Sequence, residues 1–208
     1  MEIAAVAGLV PVMPVLTVER AADAVPLARA LVKGGLPALE ITLRTGAALE
    51  AMRAITDEVE GALVGAGTVI TPDQVEQVQE AGARFAVSPG CTPALAAATR
   101  AAGLAFLPGV QTVSEAMAMS ELGFSLLKFF PADAAGGPSW LRAIAAPLPG
   151  LRFCPTGGIG PDTAPGYLAL ANVACIGGSW VAPRDAVAAG DWGRIERLAA
   201  AASLLKRA

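Results

Sequence analysis

Apolar residues along the chain fall into short dense runs separated by amphipathic stretches. The runs are L-V-P-V-M-P-V-L at 9–16, A-L-E-I-T-L at 38–43, A-L-V-G-A-G-T-V at 62–69 and R-F-A-V-S-P at 84–89. The second half adds A-F-L-P-G-V at 105–110, S-L-L-K-F-F-P at 125–131, R-F-C-P-T-G-G-I at 152–159 and V-A-C-I-G-G-S-W at 173–180. Runs this short and this rich in bulky side chains predict buried strands. The stretches between them start as helices do, with Thr17 before V-E-R, Thr71-Pro72-Asp73 with Glu76 downstream, Thr92-Pro93, Thr112-V-S-Glu115 and Pro161-Asp162. Gly34, Gly82, Gly103 and Gly123 stand where such helices should stop. Eight strand-helix units without a linker or a composition break predict a single domain over 1–208, a closed (β/α)8 barrel rather than an open doubly wound sheet. With 208 residues against the ~250 typical of such barrels, little is left for anything else. The site is then expected at the C-terminal ends of the strands.

Alternation along two strands puts polar groups on the inner face. In the second run Leu39, Ile41 and Leu43 share one face, and Glu40, Thr42 and Arg44 the other. The outer face must pack on helices, so the polar set is expected to point inward. In the sixth run Lys128 shares its face with Leu126 and Phe130. The chain has only three lysines; Lys33 ends a helical pattern and Lys206 is near the C-terminus, so Lys128 alone has no solvated explanation. Burying an ammonium costs several kcal/mol unless it is paired or neutral. Glu40, Arg44 and Lys128 are expected to converge inside the barrel, with Thr68 nearby. A structural ion pair and a reactive amine fit that cluster equally well.

Composition narrows the chemistry. Histidine is absent, which removes Ser-His and Cys-His nucleophiles and His-ligated metals. The net charge of −3, with basic residues scattered singly, carries no footprint for nucleic acid. No run of eighteen residues is both uncharged and free of turn residues, so no membrane span is expected. Glu2 stands where a secretory leader would carry a basic residue. Cys91, Cys154 and Cys175 form no CxxC pair and are expected as reduced thiols in a cytoplasmic protein.

Two glycine-rich turns tilt the balance toward chemistry. Thr156-Gly157-Gly158-Ile159 and Ile176-Gly177-Gly178-Ser179 follow the last two strands, where this barrel class seats phosphate on backbone amides. Pro89, Pro108, Pro131 and Pro155 end strands and stiffen the rim. A neutral lysine amine beside a carboxylate, an arginine for a carboxylate substrate and a phosphate seat together describe a ligand: a phosphorylated keto acid. Such an amine can attack the ketone and form an iminium, an electron sink for breaking the adjacent carbon-carbon bond, with Glu40 moving protons and no metal or cofactor required.

The segments L-E-I-T-L-R-T (39–45), V-G-A-G-T-V (64–69), F-A-V-S-P-G (85–90), K-F-F-P-A (128–132), F-C-P-T-G-G-I (153–159) and C-I-G-G-S-W (175–180) resemble, in order, those of the 2-keto-3-deoxy-6-phosphogluconate (KDPG) aldolase family. The resemblance implies a class I, Schiff-base aldolase of the Entner-Doudoroff pathway on a (β/α)8 barrel, a homotrimer that also acts on 4-hydroxy-2-oxoglutarate. By position it implies that Lys128 forms the imine and that Glu40 moves protons. It assigns Arg44 and Thr68 to the pyruvyl carboxylate, Pro89 and Phe130 to the pocket wall, and Gly157, Gly158, Gly178 and Ser179 to the phosphate. Thr156 is implied in choosing the C4 configuration. An aldolase for the galactonate epimer, and a phosphosugar-binding barrel without catalysis, remain the alternatives to test.

Overall fold

The computed structural model describes residues 1–208. The chain opens with helix α1 (Ile3–Gly8), then strand β1 (Val12–Leu16), a 3-10 turn (Ala21–Asp23), α2 (Ala24–Lys33), β2 (Ala38–Thr42), α3 (Ala48–Glu58), β3 (Leu63–Gly67) and α4 (Pro72–Glu80). It continues through β4 (Phe85–Val87), α5 (Pro93–Ala101), β5 (Ala105–Leu107), β6 (Gly109–Val110), α6 (Val113–Glu121), β7 (Leu126–Phe129), α7 (Gly137–Ala145) and β8 (Arg152–Pro155). It closes with α8 (Ala164–Leu168), β9 (Ile176–Gly178), α9 (Arg184–Ala189) and α10 (Trp192–Ser203).

All pairings are parallel. One sheet runs β5-β4-β3-β2-β1-β9 and the other β6-β7-β8. Two features join them into a closed barrel. The strand expected at 105–110 is split by Pro108, which has no N–H to give its neighbour on the β4 side, while its carbonyl still accepts from Lys128 N on the other side at 2.8 Å. At the second seam, isolated bridges Phe153↔Val173 and Thr156↔Gly177 tie β8 to β9. The barrel is thus eight-stranded, as the run pattern predicts, with one strand kinked.

Local chemistry explains the helix starts. Thr71 accepts from Gln74 N and Thr112 from Glu115 N, each as half of a capping box, while Thr92 accepts from Leu95 N. The partner of Thr71 is Gln74 rather than Glu76, since only the third helical residue can reach back to the cap. Thr17 departs from expectation and caps nothing. Its hydroxyl lies 3.2 Å from that of Thr42, and the helix waits until Ala24, after the turn in which Arg20 engages Asp23. Pro161-Asp162 likewise lie in a turn ahead of α8.

Candidate active site

Lys128 and Glu40 are 2% and 1% exposed, and Lys128 Nζ donates to Glu40 Oε1 at 3.3 Å. They stand on β7 and β2, which are not neighbours in either sheet, so the contact crosses the barrel interior. Room for it comes from β3. Gly65 and Gly67 face inward there, and a Cβ on Gly65 would fall 2.2–2.4 Å from the Phe85 ring. A Cβ on Gly67 would fall 2.3 Å from Glu40 Oε1 and 2.7 Å from its Cγ. The aromatic ring and the carboxylate therefore occupy the space two side chains would have taken. The ring of Phe130, centred 5.4 Å from Nζ, faces the ammonium from the other side.

Gly67→Ala is consequently expected to push Glu40 out of register with Lys128. Overpacking of this kind costs about 1–3 kcal/mol, and a carboxylate displaced by an ångström loses about 10²-fold in a proton-transfer step. NMR of pyruvate methyl exchange in D2O, compared with Gly150→Ala on the exposed surface, where a Cβ meets nothing within 4 Å, measures it.

Arg44 does not join the buried pair. Strand pairing of β2 ends at Thr42, the chain turns, and the guanidinium stays exposed, with Nε donating to Thr68 Oγ1 at 3.2 Å. Keeping an arginine head in water avoids the desolvation cost that an inward position would carry. Thr42 does point inward, yet its hydroxyl is spent on Leu16 O at 2.9 Å. Thr68 has φ 61°, the one non-glycine residue in the left-handed region. For a β-branched residue this strain costs on the order of 1–3 kcal/mol, a level found mainly where function requires it. It delivers the hydroxyl to Arg44.

Phe130 also belongs to the wall of a cavity of about 850 Å³, together with Arg44, Thr156, Gly157, Gly158 and Ser179; Lys128 and Glu40 lie behind that wall. Gly157 and Gly158 have φ 102° and 77°, and a Cβ on Gly158 would lie 2.5 Å from Asp133 Cβ. Only glycine fits this turn. Its consequence is chemical: Gly157 is held against Gly177 by the bridge at Thr156, while the amides of Gly158, Ile159, Ser179 and Trp180 have no backbone acceptor. Free N–H groups on residues that line one concavity supply an anion seat. Three arginines line the same cavity. Arg20 is tied to Asp23 and Arg184 to Glu19, while Arg44 has no carboxylate partner.

Two expected residues lie elsewhere. Gly178 faces away from the cavity, with the Trp180 ring 2.1 Å from where its Cβ would be. Gly177 stands in the wall instead, bridged to Thr156, and its own Cβ would fall 2.3 Å from Thr156 Oγ1. Strand parity carries this signal: Gly177 pairs with Met13, which shares its face with the wall residue Val15. Pro89 lines a neighbouring cavity of about 430 Å³ that shares Phe130 as its partition. Thr17, Asp23 and Arg184, which no motif marked, also reach the main wall.

No three His, Cys, Asp or Glu side chains come together as a metal would require, and no helix is long and apolar enough to cross a membrane. Cys154 and Cys175 are buried free thiols with sulfurs 3.5 Å apart. The hydrogen bond between them and their burial hold the Cys175 thiol well above its usual range. Cys91 lines the smaller cavity, and burial pushes its thiol up to about 11. Because the thiolate is the reactive form, Cys91 alkylation by iodoacetamide is expected to rise about ten-fold per pH unit from pH 8 to 10. A plateau below pH 10 in a stopped-flow or mass-spectrometric time course would contradict that.

A family model for KDPG and KHG aldolases matches residues 3–198. The chain belongs to that family. It is 49% identical over 207 residues to the 2-dehydro-3-deoxy-phosphogluconate aldolase of Zymomonas mobilis, covering all of this chain and 98% of that one. With the KHG/KDPG aldolase of Escherichia coli K12 it shares 53% identity over 189 residues, 91% of this chain and 89% of the relative. Among solved structures, the KDPG aldolase of Legionella pneumophila matches with a TM-score of 0.95 at 45% identity over 98% of both chains, and that protein holds pyruvate as a covalent carbinolamine. Aldolase relatives across the full barrel make the (β/α)8 architecture that of the family, and the six sequence segments that resemble it lie on its strands and the turns that follow them.

Proposed function

We propose that this member of the KDPG and KHG aldolase family is a lyase that reversibly cleaves 2-keto-3-deoxy-6-phosphogluconate to pyruvate and glyceraldehyde 3-phosphate through a Schiff base, and that it also cleaves 4-hydroxy-2-oxoglutarate. The single observation that carries the mechanism is the buried contact of 3.3 Å between Lys128 and Glu40, separated from the glycine-lined cavity by Phe130.

Glu40 takes a proton from Lys128, and the freed amine attacks the C2 ketone to give a carbinolamine. Glu40 gives that proton to the carbinolamine hydroxyl, which leaves as water, so an iminium forms on Nζ and the Glu40 carboxylate is restored. Glu40 then removes the C4 hydroxyl proton, the C3–C4 bond breaks, and its electron pair neutralises the iminium as an enamine. The aldehyde departs. Glu40 returns the proton to C3, and water hydrolyses the imine to release pyruvate and the lysine. Arg44, braced by Thr68, holds the pyruvyl carboxylate, the role that suits the one cavity arginine without a carboxylate partner. Phe130 and Pro89 bound the pyruvyl end. Gly157, Gly158 and Ser179 serve the phosphate, with Gly177 in the wall beside them where the sequence pointed to Gly178. Thr156 reads the C4 hydroxyl. The enzyme works as a homotrimer in the cytoplasm within the Entner-Doudoroff pathway; the family resemblance supports this, and light scattering of the purified enzyme tests the trimer.

Borohydride reduction with pyruvate, followed by peptide mapping, tests the whole reading. A carboxyethyl group is expected on Lys128 and on neither Lys33 nor Lys206. A folded protein without the adduct supports the phosphosugar-binding alternative. Assay of both C4 epimers with the same preparation decides between gluconate and galactonate preference.

A further inference from the structure

The anion seat is built entirely from uncharged groups. Four residues with free amides line it, yet a phosphate brings up to two negative charges that no amide neutralises. A counter-ion has to come from the cavity wall, and the wall offers three arginines.

Their present partners distinguish them. Arg44 is engaged with Thr68 at the pyruvyl end. Arg20 is locked in a two-point contact, 2.8 and 2.7 Å, with the carboxylate of Asp23, a buried residue. Arg184 has a single contact of 3.3 Å with Glu19, between side chains that are 86% and 64% exposed. An exposed one-point pair of this kind is worth little and is readily exchanged. Arg184 also sits five residues after Ser179, at the start of α9, which follows the loop that supplies two of the free amides.

We propose that Arg184 is the phosphate counter-ion of this enzyme, exchanging Glu19 for the phosphate when a phosphorylated substrate enters. Arginine suits the exchange, since its planar fork meets phosphate oxygens two at a time and binds them more strongly than a solvated carboxylate. Glu19 then acts as a placeholder: it holds Arg184 in the wall of the same cavity and discourages unphosphorylated anions by its own charge. Selectivity for phosphorylated over plain aldehydes thus resides partly in an exposed ion pair rather than in the glycine turns alone.

The inference rests on the aldolase reading, and the two can fail separately. In condensation with pyruvate, kcat/KM is measured for glyceraldehyde 3-phosphate and for unphosphorylated glyceraldehyde, and their ratio is compared among variants. Arg184→Gln is expected to lower the ratio about ten-fold, the scale of one charge-assisted hydrogen bond. Glu19→Gln, which frees the arginine, is expected to raise it about two- to three-fold. A general structural disturbance would move both substrates together and leave the ratio alone, and that result overturns the inference while the aldolase reading stands. An unaltered enzyme that condenses neither aldehyde overturns both.

Discussion

Lys128→Met is expected to lose aldol cleavage by on the order of 10⁴-fold or more, the scale seen when a covalent nucleophile is removed, and to give no borohydride-trapped pyruvate adduct. Methionine matches the length of the lysine stem and lacks the amine. The substitution leaves Glu40 buried without its partner, and breaking one side of a buried pair costs about 3–5 kcal/mol. The single variant should therefore melt earlier by several degrees. Lys128→Met with Glu40→Gln removes the charge on both sides and is expected to regain most of that stability while remaining inactive. The comparison separates the two roles of the contact, since thermal melting reads the ion pair and turnover reads the nucleophile. Turnover by either variant near that of the unaltered enzyme would remove the Schiff base from the mechanism.

Glu40→Gln alone is expected to lower kcat by about 10²–10⁴-fold, the usual contribution of a positioned acid-base group. Its diagnostic signature is a split between steps. Glutamine keeps the shape and can still accept from Nζ at the observed 3.3 Å, so the borohydride-trapped adduct should reach the same yield, only more slowly. Exchange of the pyruvate methyl protons for deuterium needs a base at the enamine carbon and should fall as far as kcat does. Exchange at the rate of the unaltered enzyme would assign the proton transfer to another group. Gly67→Ala should resemble a mild form of this variant, because it displaces the same carboxylate without removing it.

Both predictions concern residues legible in the chain before any coordinates. A lysine inside L-L-K-F-F-P has no solvated explanation, and a glutamate alternating with leucine and isoleucine must face the barrel axis; hydrophobic patterning reports burial directly. The same reasoning found the eight-stranded barrel, the helix caps at Thr71, Thr92 and Thr112, and the glycine turn after β8. It overreached with Arg44, because alternation holds only while strand pairing lasts and β2 ends two residues earlier. It chose Gly178 over Gly177 because two adjacent glycines look alike until the register of β9 against β1 sets their parity.

What the sequence determined by itself is the kind of chemistry: a buried amine, a buried carboxylate and a glycine-lined turn, in a chain without histidine. Each follows from a residue's cost of burial or its backbone freedom, which are properties of short segments. The convergence of Glu40 and Lys128 was expected from alternation too; the tertiary structure decided how closely they meet and which other groups join them. The pairing of β2 with β7 across the barrel, the empty place on Gly67 that admits the Glu40 carboxylate, the strained Thr68 under Arg44 and the loose tie between Arg184 and Glu19 join positions 24 to 165 residues apart. Local pattern has no access to such distances, because they are set by how the strands close on one another and not by any one of them.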